Sequence, residues 1–331
     1  MIPDTDTSQL IRMFEDRKIL VAGDLVLDHY LEGKVSRISP EAPVPVVSLG
    51  ENSERWIPGG AANVALNVVS LGGIPVMAGA VGDDSNGRRL INLLQAAGVD
   101  VSAVVTDTER PTTVKTRIMS RNQQLMRVDR ERTSPLGEKA ATELTAKLAG
   151  AVRSSDSVIL EDYNKGVLSL ETISFVMKSA AKSDIPVAVD PKIENFWKYR
   201  GASLFKPNRH EAGRALGIRI ADPETAAEAA GAVMNKLQAK AVLITLGSGG
   251  SVLVQEDGSE PCHIPTVARH VFDVSGAGDS VIAVMGLGLS CGMNLHDSAR
   301  LANLAAAAVC AEPGVYAVKA EDIAREAGRF E

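Results

Sequence analysis

No apolar run in this sequence is long enough to cross a membrane. The longest, around Val281 to Leu289 and Leu301 to Ala311, fall short of the roughly 18 residues a span requires. They are interrupted by Gly or rich in Ala, so buried helices account for them. The N-terminus, MIPDTDTSQLIRMFEDRK, lacks the basic start and apolar core of a secretory signal and reads as a short leading helix. Cysteine is scarce: Cys262, Cys291 and Cys310 are an odd number without CxxC spacing, which argues against a disulfide framework or a zinc site and suits a reduced, cytoplasmic setting. There is no basic stretch either. With a formal net charge of −6 and Lys and Arg scattered, nucleic acid is not the expected partner, and an anionic substrate would need a local cationic pocket. Two nucleotide signatures are missing as well. No loop ends in GK[ST], and the first strand is followed by VAGDLVLD instead of G-x-G-x-x-G, which speaks against a Walker-type ATPase and an NAD-binding dehydrogenase.

What is present is a globular mixture, 45% apolar and 23% charged, organised as short β-branched runs alternating with helical patterns. Strands are expected at Ile19 to Ala22, Val76 to Val81, Val158 to Leu160, Val187 to Val189, Val242 to Leu246 and Ser251 to Gln255. Helices are expected at Ala61 to Leu71, Arg88 to Ala97, Lys139 to Ala149, Leu170 to Lys182, Thr225 to Leu237, Asp279 to Cys291 and Leu295 to Cys310. This alternation predicts an α/β fold with a doubly wound, mostly parallel sheet. With no repeat, linker or low-complexity segment, residues 1–331 are read as one domain. Two stretches interrupt the rhythm, His29 to Pro58 and Pro111 to Glu131. The second alternates as Val114, Thr116, Ile118 and then Leu125, Arg127, Asp129, a period of two that suggests a small antiparallel sheet standing off the body as a lid.

The strongest chemical signal is DVSGAGDSVIAVMGLG, Asp273 to Gly288, where a small-residue turn opens an apolar helix. Gly276, Ala277 and Gly278 leave backbone N–H groups uncovered at a helix N-terminus, where open donors and the helix dipole attract an anion such as a phosphoryl group. Asp279 beside them is placed to take a proton from an attacking hydroxyl. An ordinary glycine turn with an acidic first-turn residue would look the same locally. Asp28 lies past the carboxyl end of the first strand, where open α/β sheets bind ligands. Lys115, Arg117, Arg121 and Arg127 crowd one lid strand pair and could neutralise a phosphate, although a solvated charged face gives the same pattern. Positions 117, 121 and 127 share parity, but the intervening turn leaves their common face open. Asn122, Gln123 and Gln124 offer neutral donors and acceptors suited to sugar hydroxyls.

GAGD opening a late helix resembles the second signature of the ribokinase-like sugar kinases, the phosphofructokinase B type. Pro58-Gly59-Gly60-Ala61-Ala62-Asn63 is similar to their first signature. The resemblance implies an ATP-dependent, Mg2+-requiring transfer to a sugar, with Gly59 and Gly60 hinging the lid and Asn63 and Asp28 touching the sugar. It places Thr245, Gly247, Gly249 and Gly250 beside ATP, Asn303 near adenine, and Asn208 and Glu211 on Mg2+ through water; a tight hairpin turn and a helix N-cap are the bland local alternatives. Four segments, SRISPEAPVPVV, SRNQQLMRVD, EDYNKGVL and DPK, look closer to the members that phosphorylate a heptose 7-phosphate on its anomeric hydroxyl in lipopolysaccharide core synthesis. That branch implies substrate contacts at Lys115, Arg117, Arg121, Asn122, Asp162, Lys165, Asp190 and Lys192. Some of its members are fused to a nucleotidyltransferase, and without an HxGH motif only the kinase step is expected here. A homodimer, paired through a lid edge, is expected by the same resemblance. Lys206 before Pro207 and Glu161 before Asp162 depart from the common pattern at positions given no catalytic role. Kinases for other sugars or sugar phosphates, and a catalytically silent regulator on the same fold, remain open at this level.

Overall fold

A computed structural model describes residues 7–121, 123–268 and 271–328. In chain order the elements are α1 (Thr7–Arg12), β1 (Lys18–Gly23), β2 (Leu25–Ile38), β3 (Pro45–Gly60), α2 (Ala61–Ser70), β4 (Ile74–Gly82), α3 (Ser85–Ala96), β5 (Asp100–Asp107), β6 (Val114–Ser120), β7 (Gln123–Arg130), α4 (Glu138–Arg153) and β8 (Ser157–Glu161). There follow α5 (Leu170–Lys182), β9 (Val187–Asp190), β10 (Leu204–Phe205), α6 (Arg209–Leu216), α7 (Pro223–Leu237), β11 (Ala241–Thr245), β12 (Ser251–Gln255), β13 (Cys262–Ile264), α8 (Ala277–Ser290), α9 (Leu295–Cys310) and α10 (Ala320–Ala327). Every expected strand and helix is present; β5, α6, α10 and the short β13 are additions. No helix among the described residues is long and apolar enough to cross a membrane.

Nine strands form the main sheet in the order β13-β12-β11-β10-β9-β8-β1-β4-β5. Pairing is parallel from β5 to β11, and only the β11–β12 and β12–β13 pairings at one edge are antiparallel. Strands such as β8, SVILE, are buried at every position because helices cover both faces, which is why they read as continuous apolar runs. From β1 the chain winds outward to β4 and β5, then returns to β8 on the other side of β1 and winds the opposite way. The order therefore reverses between β1 and β8, and a crevice opens above their carboxyl ends, where such folds place ligands.

Helix α8 lies against the middle of this sheet and is buried from Asp279 to Gly288. Its closeness depends on Gly286, where a Cβ would stand 2.5 Å from Ile159 Cδ1, and on Ser157 Oγ donating to the Gly286 carbonyl at 2.8 Å. Ile282, Val284, Met285 and Leu287 are fully buried there and each contributes about 1.5–3 kcal/mol. This packing fixes the axis of α8 and so the position of its N-terminus.

The lid is a four-stranded sheet, β3-β2-β6-β7. Two antiparallel hairpins, β2–β3 and β6–β7, are joined by a parallel contact between β2 and β6, with Asp28 opposite Lys115 and Tyr30 opposite Arg117. The lid begins at Leu25, earlier than expected, because β2 leaves β1 after Asp24 alone and its first residues are still in the core. Gly59 and Gly60 end β3 where the lid meets the body. At Gly59 a Cβ would stand 2.2 Å from Asp28 Oδ2, and Gly60 has φ 58°, so both positions need glycine.

Candidate active site

The crevice collects one residue or more from the carboxyl end of nearly every central strand: Asp24 after β1, Glu161 on β8, Asp190 on β9, Lys206 after β10 and Thr245 on β11. The N-terminus of α8 points into this group. Gly276 caps the helix in the left-handed region, φ 83°. Its amide and those of Gly278 and Asp279 have no protein acceptor among the described residues, whereas Ala277 N–H donates to the Val274 carbonyl at 3.3 Å. The expectation of three open amides over Gly276 to Gly278 is corrected at Ala277: the tight turn that makes the cap consumes that donor.

Asp279 is 6% exposed and held from two sides. Asn63 Nδ2 donates to Oδ2 at 2.6 Å and Tyr163 Oη to Oδ1 at 2.9 Å. Burial raises the pKa of the Asp279 carboxyl, against the lowering effect of these two donors. Asn63 is itself fixed, since it sits at the first turn of α2 and its carbonyl accepts from Asn67 Nδ2. Asp28 is buried at the root of the lid and forms an ion pair with Arg117, whose guanidinium also lies 5.2 Å over the Tyr30 ring. Lys115 lies 5.3 Å over the Tyr163 ring, and burial lowers its pKa against the pull of Asp28. Lys192 approaches the same ring at 5.0 Å and pairs with Glu211 at 2.7 Å. The structure thus brings Asp28, Asn63, Lys115, Arg117, Lys192 and Asp279 to one crevice.

Other expected residues are placed differently. Asp162 is buried with Oδ1 accepting from Asn164 N–H and Oδ2 from Asn195 Nδ2 and Tyr199 Oη. Its carboxylate is consumed in fixing the loop after β8, so it is not brought to the open crevice. Lys165 gives its ammonium to Glu131 at 2.7 Å. Arg127 opposes Arg117 in register but pairs with Asp129 in solvent. Arg121 lies past the end of β6, in the β6–β7 turn, φ 47°. There it lines a cleft of about 870 Å³ between lid and body, with Lys34, Arg55, Asp273 and Gly314. Asn122 lies outside the described residues.

On the other side of the α8 N-terminus is a cavity of about 430 Å³, lined by Thr245, Gly247, Gly250, Gly278 and Asn303 and by apolar side chains that include Val281, Ala306 and Cys310. Gly249 faces away from it and gives its carbonyl to the His263 ring at 2.8 Å. Gly250, φ 84°, lets the turn close on Ile264, whose carbonyl a Cβ would meet at 2.0 Å. Asn303, in the lining of the cavity, donates through Nδ2 to the Pro265 carbonyl at 2.6 Å. Asn208 and Glu211 form a capping box on α6: Asn208 Oδ1 accepts from the Glu211 amide and Glu211 Oε2 from the Asn208 amide, both at 2.9 Å. No cluster of three metal-ligating side chains occurs among the described residues. An amide and a carboxylate so engaged fit a water-mediated hold on a nucleotide-borne ion, which keeps most of its own waters.

Four residues at the site escaped the sequence reading. Tyr163 holds Asp279; Asp24 accepts from the amides of Tyr163, Lys165 and Val167 at 2.8–3.1 Å. Glu161 is fully buried, and Lys206 is 3% exposed and bonded to Asp190 at 2.7 Å. The departures set aside at Glu161 and Lys206 therefore fall inside the site. A usable signal existed for Asp24, the first acid after the first strand.

Comparison with known proteins agrees with this geometry. Residues 17–322 match the model for the pfkB family carbohydrate kinases. Proteins named "Bifunctional protein HldE" are similar: that of Caulobacter sp. is 43% identical over 97% of this chain and 64% of its own length, and that of Helicobacter pylori is 41% identical over 93% and 66%. The chain spans just under two thirds of the length of these relatives. Among solved structures, Escherichia coli phosphofructokinase-2 with potassium superposes with a TM-score of 0.77 at 21% identity, covering 96% of this chain and 100% of its own. Arabidopsis thaliana ribokinase with ribose and ATP gives 0.72 at 20%, covering 94% and 98%, which establishes the ribokinase-like fold. The chain belongs to the pfkB family of carbohydrate kinases.

Proposed function

We propose that this chain transfers the γ-phosphoryl group of ATP to the anomeric hydroxyl of D-glycero-β-D-manno-heptose 7-phosphate, giving the 1,7-bisphosphate. The observation that carries the chemistry is Asp279 at the head of α8, flanked by the open amides of Gly276 and Gly278, with Gly278 lining the apolar cavity. The apolar cavity receives the nucleotide, with Asn303 toward the base and the Thr245 to Gly250 turn along it. Asn208 and Glu211 would hold the waters of a Mg2+ ion, which when bound would offset the negative charge of the phosphates. The acceptor enters from the lid side, where Asp28 and Asn63 position hydroxyls and the cleft's cations meet the phosphate already on the sugar.

Asp279 takes the proton as the acceptor oxygen attacks phosphorus, the bond to the β,γ-bridging oxygen breaks and ADP leaves. The amides and the dipole of α8 stabilise the charge on the moving group. The choice of heptose rests on the lid segments quoted above and on the HldE-named relatives. We place the activity in the cytoplasm. A homodimer would follow from pairing at the lid edge, where β7 is exposed along its length.

The test is ADP release over a panel of sugars and sugar phosphates. The heptose 7-phosphate should give the highest kcat/KM; a hexose phosphate that exceeds it overturns the choice of acceptor.

A further inference from the structure

Lys206 follows the two-residue strand β10 and is buried beneath the N-terminus of α8. A buried ammonium is costly unless paired. Here it has one bonded partner among the described residues, Asp190 Oδ2 at 2.7 Å. An ammonium has three N–H donors, so two remain. Nζ stands 3.8 Å from where a Cβ on Gly278 would be, and Asp190 Oδ2 stands 3.9 Å from the same point. A side chain at residue 278 would therefore screen the lysine from the crevice, and glycine leaves it open.

The surroundings keep the ammonium from closing a second ion pair. Glu161 lies opposite Asp190 in the register of β8 and β9, is fully buried, and has neither carboxyl oxygen bonded. Burial and the Asp190 and Asp279 carboxylates push its pKa well up, which disfavours its charged form. Burial lowers the pKa of Lys206, but Asp190 outweighs it and the net shift is upward, so the ammonium stays charged.

We propose that Lys206 is a catalytic residue whose ammonium contacts the γ-phosphoryl group during transfer, held by Asp190 and reaching the group past Gly278. This rests on the phosphotransfer reading above. Lys206 donates no proton: the acceptor's proton goes to Asp279, the phosphorus–oxygen bond to ADP breaks as the bond to the acceptor forms, and the fixed positive charge offsets the negative charge in transit.

The experiment compares wild type, Lys206→Met and the double variant Lys206→Met/Asp190→Asn, in which no buried carboxylate is left unpaired. Each is assayed for kcat, for KM of ATP, and for affinity toward ADP alone and ADP with aluminium fluoride and sugar phosphate, a mimic of the moving phosphoryl group. Both variants should lose about 10²- to 10³-fold in kcat, as when one transition-state donor is removed. Affinity for the mimic should fall by a similar factor, with ADP binding within about threefold of wild type by the same differential-binding argument. A folded double variant that turns over within about threefold of wild type, or that loses ADP and mimic affinity equally, refutes the role of Lys206. A wild-type protein that releases no ADP with any acceptor refutes the underlying phosphotransfer reading instead.

Discussion

Asn63 Nδ2 and Asp279 Oδ2, 216 positions apart in the chain, meet in a 2.6 Å hydrogen bond that ties the first turn of α2 to the first turn of α8. The bond stabilises the ionised carboxylate that burial disfavours, and it orients one carboxyl oxygen while Tyr163 orients the other. Proton acceptance by Asp279 is thus governed by two donors from different parts of the sequence.

Replacing Asp279 by Asn keeps shape and removes the base. Turnover should fall about 10²- to 10⁴-fold, while ATP binding, measured by calorimetry, changes little.

Removing a donor should raise the pKa of Asp279 further. Activity requires the ionised form and is lost as pH falls through that pKa, so the acidic limb of kcat/KM should move to higher pH in Asn63→Ala and in Tyr163→Phe. A hydrogen bond to a charged group is worth about 1.5–3 kcal/mol, which corresponds to a displacement of about 1–2 pH units. A pH–rate profile with an unmoved limb would remove Asp279 as the titrating base.

Arg117 and Arg121 should separate by stability. Arg117→Ala leaves Asp28 buried without its partner and should cost about 3–5 kcal/mol in denaturant unfolding. Arg121 is exposed at the cleft, so Arg121→Ala should leave stability within about 0.5 kcal/mol. Both should raise KM for the sugar phosphate more than KM for ATP; equal effects on the two substrates would mean that the lid does not read the phosphate.

Asp24 is buried, which raises its pKa to about 6 against the downward pull of its three backbone donors. Below the unfolded value of 3.8 both states hold the proton. As pH rises toward about 6 the unfolded chain releases it first, so the stability this group contributes in acid is lost over that window, roughly 3 kcal/mol in total. Unfolding free energies of wild type and Asp24→Asn should therefore differ in slope between about pH 4 and pH 6 and run parallel above it; parallel lines throughout would contradict the raised value.

The features legible in the sequence are those made by contiguous residues. The GAGD turn and its helix are one local structure, and so is the capping box of Asn208 and Glu211, where the bland reading of those two residues is what the side chains display. Buried parallel strands announce themselves by composition. Asp162 misled because it sits beside residues that do face the crevice, while the loop after β8 turns its carboxylate to Asn195 and Tyr199. The face of Arg121 was not legible because it lies in the β6–β7 turn, where strand parity no longer applies.

The amino-acid sequence by itself determined the α/β architecture, the helix that carries Asp279 and the lid, because hydrophobic period, turn chemistry and helix-opening glycines act over a few residues. Only the tertiary structure decided that Asn63 and Tyr163 hold Asp279, that Lys206 and Asp190 stand under Gly278, and that Arg117 is committed to Asp28. Those contacts join the ends of strands and helices far apart in the chain, and the winding of the sheet brings them together.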